Sequence, residues 1–215
     1  MSVTEPLSPT TGEPVSVVAS RNRLAMWLII VSTTAGSLAL LISYTYLWSL
    51  NVNNAWAPPN NGWATLWAFW AIFVGEVLAG LSMRWGWKGM QKGERGRMLA
   101  GSLISALLLI AAFIGQIAQI MSFPFGPSDG GYATVTFWFA FSNAGWVLLS
   151  SFVAFGIFNR TLAGKITANN ASHAGIVAMW LVWLAGVALI GAICTTTMQD
   201  SPNTNPPAFG NFQEQ

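Results

Sequence analysis

The sequence predicts an all-α integral membrane protein, one bundle of five transmembrane helices with a cytoplasmic N-terminus and an external C-terminus. Three observations carry this expectation. Charged residues make up 7% of the 215 positions and hydrophobic ones 53%, whereas a soluble domain is usually about 25% charged. Five apolar stretches are each long enough for a ~30 Å hydrocarbon core, which needs about 20 helical residues. All nine Lys and Arg residues fall on one side of the topology that these stretches draw. The positive-inside rule assigns that side to the cytoplasm.

Residues 1–20 are rich in Ser, Thr, Pro and Val, carry Glu5 and Glu13, and show no period. They read as a flexible cytoplasmic tail. The apolar run that follows Arg21 and Arg23 is too long for the h-region of a cleaved signal peptide. It gives the first span, Leu24–Trp48. A loop with two prolines and no charge, Asn51–Gly62, reads as a stiff external cap. The second span is Trp63–Met83. The basic segment Arg84, Lys88, Lys92, Arg95 and Arg97 separates it from the third, Met98–Met121. Turn chemistry fills Ser122–Gly131. The fourth span, Ala133–Phe158, leads through Arg160 and Lys165 to the fifth, Ala174–Thr197. The membrane domain is therefore 21–197. Residues 198–215 form an external tail, and its Pro- and Asn-rich last 15 residues are expected to be ordered only against a partner.

Twelve tryptophans are present. Trp48, Trp56, Trp63, Trp85 and Trp87 flank loops as an interfacial belt would. Trp67, Trp70, Trp138, Trp146, Trp180 and Trp183 lie deeper, as packing elements or lipid-facing rings. Small residues recur four apart at Ala35, Ala39 and Ser43, at Ala71, Gly75 and Ala79, and at Ala111 and Gly115. Such stripes let helices approach one another, or a partner, closely.

The residue inventory excludes much chemistry. One histidine, His173, and one cysteine, Cys194, provide neither bis-His haem ligation nor a copper centre. His173 reads as a helix-end histidine near headgroups. The three lysines lie in loops, so no retinal-type Schiff base forms within a span. Basic residues spread over loops read as orientation and anionic-lipid contact, not as a nucleic-acid site. Gly126-Pro127-Ser128-Asp129-Gly130 fits G-x-S-x-G. A nucleophile elbow, however, needs a strand, a helix and a nearby histidine, and this segment reads as an external turn. The sequons at Asn159 and Asn170 face the cytoplasm, where they are inert.

Glu76 is the one ionisable side chain inside a span. A carboxyl in hydrocarbon is costly and by default marks a functional or assembly site. Gly80, one turn on, leaves room for a neighbouring helix. Candidate partners are Gln116 and Gln119 on the third span, and Ser142 and Asn143 on the fourth. Glu76, Gln116, Gln119 and Asn143 thus form the candidate proton or assembly site. The alternatives are a hydrogen-bonded structural carboxyl, proton or ion handling, and contact with another subunit.

A series of segments carries a resemblance. Arg23-Leu24-Ala25-Met26-Trp27-Leu28 opens a helix that closes Ser43-Tyr44-Thr45-Tyr46-Leu47-Trp48 and leads into Trp56-Ala57-Pro58-Pro59. Leu81-Ser82-Met83, Gly96-Arg97 and Gly115-Gln116 follow. The series resembles subunit III of the haem–copper terminal oxidases, which act on cytochrome c or quinol, in the five-helix bacterial form. It covers about residues 21–197. The family's Ser-Glu reads Ser32-Thr33 here, and its Gly-Gln-x-x-Glu reads Gly115-Gln116-Ile117-Ala118-Gln119. Its paired histidines are missing from Asn143–Val147, and its Tyr-Trp-His looks like Met179-Trp180-Leu181. Glu76 stands where the family is usually apolar.

The resemblance implies a cofactor-free, non-catalytic subunit of an aerobic respiratory complex in a bacterial inner membrane. Haem and copper would sit in a partner subunit, which this chain would stabilise while phospholipids fill a cleft between helix bundles. Subunits associated with nitric oxide reductases share the family. Two other classes stay open on sequence: a small transporter or channel coupled through Glu76, and a structural subunit of another complex such as a monooxygenase. Five spans without a visible repeat or a proline-broken helix argue against the transporter. The expected orientation is directly testable. Cysteines at Asn53, Ser128 and Asn203 should react with an impermeant reagent in intact cells, while those at Lys92 and Lys165 should not; labelling at Lys92 would reverse the topology.

Overall fold

The computed structural model describes residues 7, 12–58, 60 and 62–203. The described residues hold five helices and no strand: α1 (Val15–Leu50), α2 (Leu66–Gln91), α3 (Arg95–Met121), α4 (Gly131–Leu162) and α5 (Ser172–Thr197). All five are long and apolar enough to cross a membrane. Short 3-10 turns at Val52–Asn54 and Ala168–Asn170 precede α2 and α5.

The helices overrun the apolar stretches, chiefly on the basic side. α1 begins at Val15 rather than Leu24, so 15–20 belong to a helix and not to a flexible tail. Pro14 sets that boundary, because its carbonyl accepts the first turn's N–H groups while its own ring nitrogen has none to give. α2 continues past Met83 to Gln91, and α3 starts at Arg95. Most of the basic loop is therefore helical, since Arg and Lys are good helix formers whose long stems reach polar surroundings. The remaining turn is made at Gly93, whose φ of +82° suits glycine. α1 stops at Asn51, which takes a left-handed conformation with φ 42°.

α2, α3, α4 and α5 pack into the core, and α1 lies outside against α4 and α5. The tightest crossing is between α2 and α3. A Cβ added at Gly101 would stand 2.7 Å from the Ser82 carbonyl oxygen and 2.8 Å from Gly86 Cα. At the same crossing, the Ser82 hydroxyl donates to the Gly101 carbonyl over 2.9 Å. Of the small-residue stripes expected at interfaces, that on α2 turns inward through Ala79, and Gly80 abuts Leu181 of α5. The stripes on α1 (Ala35, Ala39, Ser43) and α3 (Ala111, Gly115) instead face outward.

At the end opposite the basic residues, an aromatic cluster closes the bundle. Tyr44 lies 5.3 Å from Trp56 and 6.4 Å from Tyr132, ring centre to ring centre. Trp63 meets Tyr132 edge-on at 4.8 Å. Trp56 is thus a core residue rather than part of an interfacial belt. The loop it belongs to hydrogen-bonds the start of α4, with Gly131 N–H donating to Ala55 O and Tyr132 N–H to Trp56 O. The segment after α5 closes over the end of α1. Trp48 Nε1 donates to Asp200 O (2.7 Å), Trp56 Nε1 to Gln199 O (2.6 Å), and the Asn51 amide to Asn203 O (3.0 Å). Residues 199–203 thus contact the end of α1 and the loop after it; the residues after Asn203 lie outside the described ones.

At the basic end, Arg95 donates to the carbonyls of Thr161 and Leu162, satisfying the C-terminus of α4. Arg97 pairs with Glu94 at 3.0 Å and lies 4.8 Å over the Trp85 ring. The Gly86–Gly101 crossing leaves no space for a side chain. Gly101→Leu should therefore destabilise the fold by about 1–3 kcal/mol, read from unfolding of the purified protein in mixed micelles. The same change at outward-facing Gly115 should cost far less.

Candidate functional site

Glu76 sits on α2 among buried residues, with 1% of its surface exposed. Three helices contribute to its surroundings. The side-chain amide of Asn143, on α4, donates to Glu76 Oε1 at 2.8 Å and to Gln116 Oε1 at 3.1 Å. Gln116, on α3, donates in turn to Gln119 Oε1 at 2.6 Å, one turn along the same helix. The four residues singled out in the sequence, Glu76, Gln116, Gln119 and Asn143, are therefore one hydrogen-bonded chain. Ser142, also weighed as a partner, is half-buried and takes no part in these bonds.

The arrangement follows from helical periodicity. Gln116 and Gln119 are three apart and share a face of α3. Gly75 and Ala112 let α2 and α3 come together just beside that face, a Cβ at Gly75 falling 3.8 Å from that of Ala112. Asn143 then enters between them from α4. No basic side chain takes part in these contacts, so amide hydrogen bonds, not an ion pair, hold the carboxyl. Three polar atoms of the cluster lack partners among the described residues: Glu76 Oε2, Asn143 Oδ1 and Gln119 Nε2. A cavity of about 20 Å³ beside Gln116 and Asn143, walled by Phe69, Ile72 and Phe139, is the size of a single water.

Two further polar contacts at membrane depth escaped the sequence reading. Trp180 Nε1 donates to Ser150 Oγ at 2.7 Å, joining α5 to α4, and Trp183 Nε1 donates to Thr34 Oγ1 at 2.9 Å, joining α5 to α1. Tryptophans at 180 and 183 share a helix face, stacking at 4.6 Å, and that spacing was the available signal. Trp146 joins them edge-on. Trp67 and Trp138 are exposed rings on the lipid-facing surface.

His173 lies near the basic end, its Nδ1 3.4 Å from the side-chain nitrogen of Asn22 on α1. Cys194 is buried on α5. No group of three His, Cys, Asp or Glu side chains gathers as a metal site among the described residues. The G-x-S-x-G segment is a turn: Asp129 accepts from Gly126 N–H at 2.7 Å, and Gly130 holds φ 121°. Ser128 has no histidine near it, since His173 lies at the other end of the bundle.

No protein-family model matches this chain, and comparison with curated proteins gives no match.

Substitutions at Glu76 separate a structural carboxyl from one that moves protons. If the carboxyl is structural, Glu76→Gln keeps the acceptor for Asn143, so folding and whatever activity depends on this chain should survive. Glu76→Leu and Asn143→Leu leave buried amide groups unsatisfied and should each weaken folding or assembly by about 1–2 kcal/mol. Measured protein yield and unfolding in detergent test this. A Glu76→Gln protein that assembles normally yet loses activity would identify a proton-carrying group instead.

Proposed function

We propose that this chain is a non-catalytic subunit of a membrane respiratory complex, similar to subunit III of a bacterial haem–copper terminal oxidase. In this reading it lies in the cell membrane with its N-terminus inside and its C-terminus outside. Its own side chains do not fit haem or copper, because the one histidine lies at a helix end and the one cysteine has no second thiolate to join it. The partner subunit carries those groups, and this chain packs against and stabilises it.

The observation that carries the reading is the exposure of α1. Only 6% of the residues in its most apolar stretch are buried, against 50% in α5. Leu24, Leu28, Val31, Leu38 and Ile42 all stand at the surface. The outward stripe Ala35, Ala39 and Ser43 gives that surface a groove that a second chain's helix can enter closely. Order of segments and loop chemistry add the resemblance over 21–197 described above. The buried polar chain at Glu76 supports the same view, since its bonds run between helices as structural bonds do.

A second reading, transport coupled to Glu76, draws on the unpartnered Oε2 atom. Purification in mild detergent through a tag on the N-terminal segment distinguishes the two. The expected result is a coloured complex with haem bands in its optical spectrum. A colourless, monodisperse protein of this chain alone would overturn the subunit reading. Expressed without its partners, the chain should be degraded or aggregate, as judged by its level in membranes.

A further inference from the structure

We propose that the groove between α1 and α5 admits a neutral, lipid-soluble phenol, whose hydroxyl donates to Asn143 Oδ1 behind the groove wall. The groove has a volume of about 240 Å³, and its apolar walls include Leu38 and Leu41 of α1, Phe139 of α4, and Trp183, Val187 and Ile190 of α5. An engineered apolar cavity of about 150 Å³ takes up benzene, so one aromatic ring fits here. The polar groups in the groove are already engaged. Thr34 Oγ1 donates to Ile30 O and accepts from Trp183 Nε1, and Ser37 donates to Thr33 O. Successive helical residues point about 100° apart, which puts the α1 wall on a different face from the outward stripe Ala35, Ala39 and Ser43. A partner helix on that stripe leaves the groove open.

Phe139 and Val187 line this groove and also line the 20 Å³ cavity beside Gln116 and Asn143. The two spaces therefore share a wall of two side chains, and a rotation of either one joins them. Inside the cavity, one polar group is free. Asn143 is 8% exposed, both its N–H groups are used, and its Oδ1 has no partner among the described residues. Gln116 accepts from Asn143 and donates to Gln119. A buried acceptor left without a donor is costly. The cavity, as large as one water, is also as large as one hydroxyl.

These walls select the chemistry of the occupant. No charged side chain lines the groove or the cavity, so an ion would enter without a counter-charge. A ketone would bring a second acceptor against Asn143 Oδ1 and gain nothing. A water satisfies the amide oxygen but leaves the apolar groove unfilled. A phenol serves both spaces: its ring lies against Trp183, where aromatic rings pack well edge-on or offset, and its hydroxyl supplies the missing donor. The site needs only this chain's own fold and does not rest on the oxidase reading.

The test uses the full chain in mild detergent with its co-purifying partners, titrated with 4-fluorophenol or fluorobenzene and followed by fluorine NMR. The phenol should bind saturably and about fivefold tighter than fluorobenzene, the worth of one net hydrogen bond. Two glycines permit selective blocks. An added Cβ at Gly186, which lines the groove, meets nothing within 4 Å, so Gly186→Leu fills the groove and should abolish saturable binding of both probes. Gly191 lines the cavity, and a Cβ there stands 3.6 Å from Phe139 Cδ1, an ordinary contact. Gly191→Ala should remove the advantage of the phenol and leave fluorobenzene unchanged. Gly145→Leu, on the exposed face of α4 with the same open surroundings, should change neither. Equal affinity for the two probes, binding that survives Gly186→Leu, or a phenol advantage that survives Gly191→Ala would each overturn the proposal. Should a variant fail to accumulate, the comparison of the two probes on the unaltered chain decides.

Discussion

The side-chain amide of Asn143 holds the core in register. Its two N–H groups reach acceptors on two other helices, Glu76 on α2 and Gln116 on α3. Hydrocarbon offers no alternative partner, so losing either bond strands a polar group. Successive residues on a helix point about 100° apart, so a one-residue rotation of α4 would carry the amide away from both acceptors. Apolar packing between lipid-like faces tolerates many rotations. These hydrogen bonds select one. Once α2, α3 and α4 are set, Gly80 presents a flat site to Leu181, and α5 closes the core.

α1 is held in a different way. It buries little apolar surface, yet polar contacts locate it at three depths: Asn22 beside His173, Thr34 under Trp183, and Trp48 and Asn51 against residues 200 and 203. A helix fixed by a few directional contacts keeps its position while most of its surface remains available. The weight of stability thus lies in α2–α5, and the free surface lies on α1.

Much of the bundle was legible because membrane solvation makes strong demands. Five long apolar runs could only be helices, and Glu76, Gln116, Gln119 and Asn143 stood out because each is costly in hydrocarbon without partners. Helix ends on the basic side were less visible. Arg84, Lys88, Arg95 and Arg97 look like a loop when hydropathy alone is counted, yet nothing in their backbone preferences stops a helix. Ala35, Ala39 and Ser43 fit the spacing rule as well as Ser82 and Gly86 do, and spacing cannot tell an inward stripe from an outward one. The groove beside Trp183 was illegible for another reason: its walls come from α1, α4 and α5, which are distant in sequence.

The contacts between the end of α1 and the segment after α5 join residues about 150 positions apart. They form only after α5 has been made, so throughout synthesis on the ribosome the first helix waits without this clasp. Trp56 waits with it, its indole N–H unsatisfied until Gln199 arrives. Completion of the last span is thereby reported at the far end of the first. A chain halted after four spans leaves Trp48, Trp56 and Asn51 without these partners.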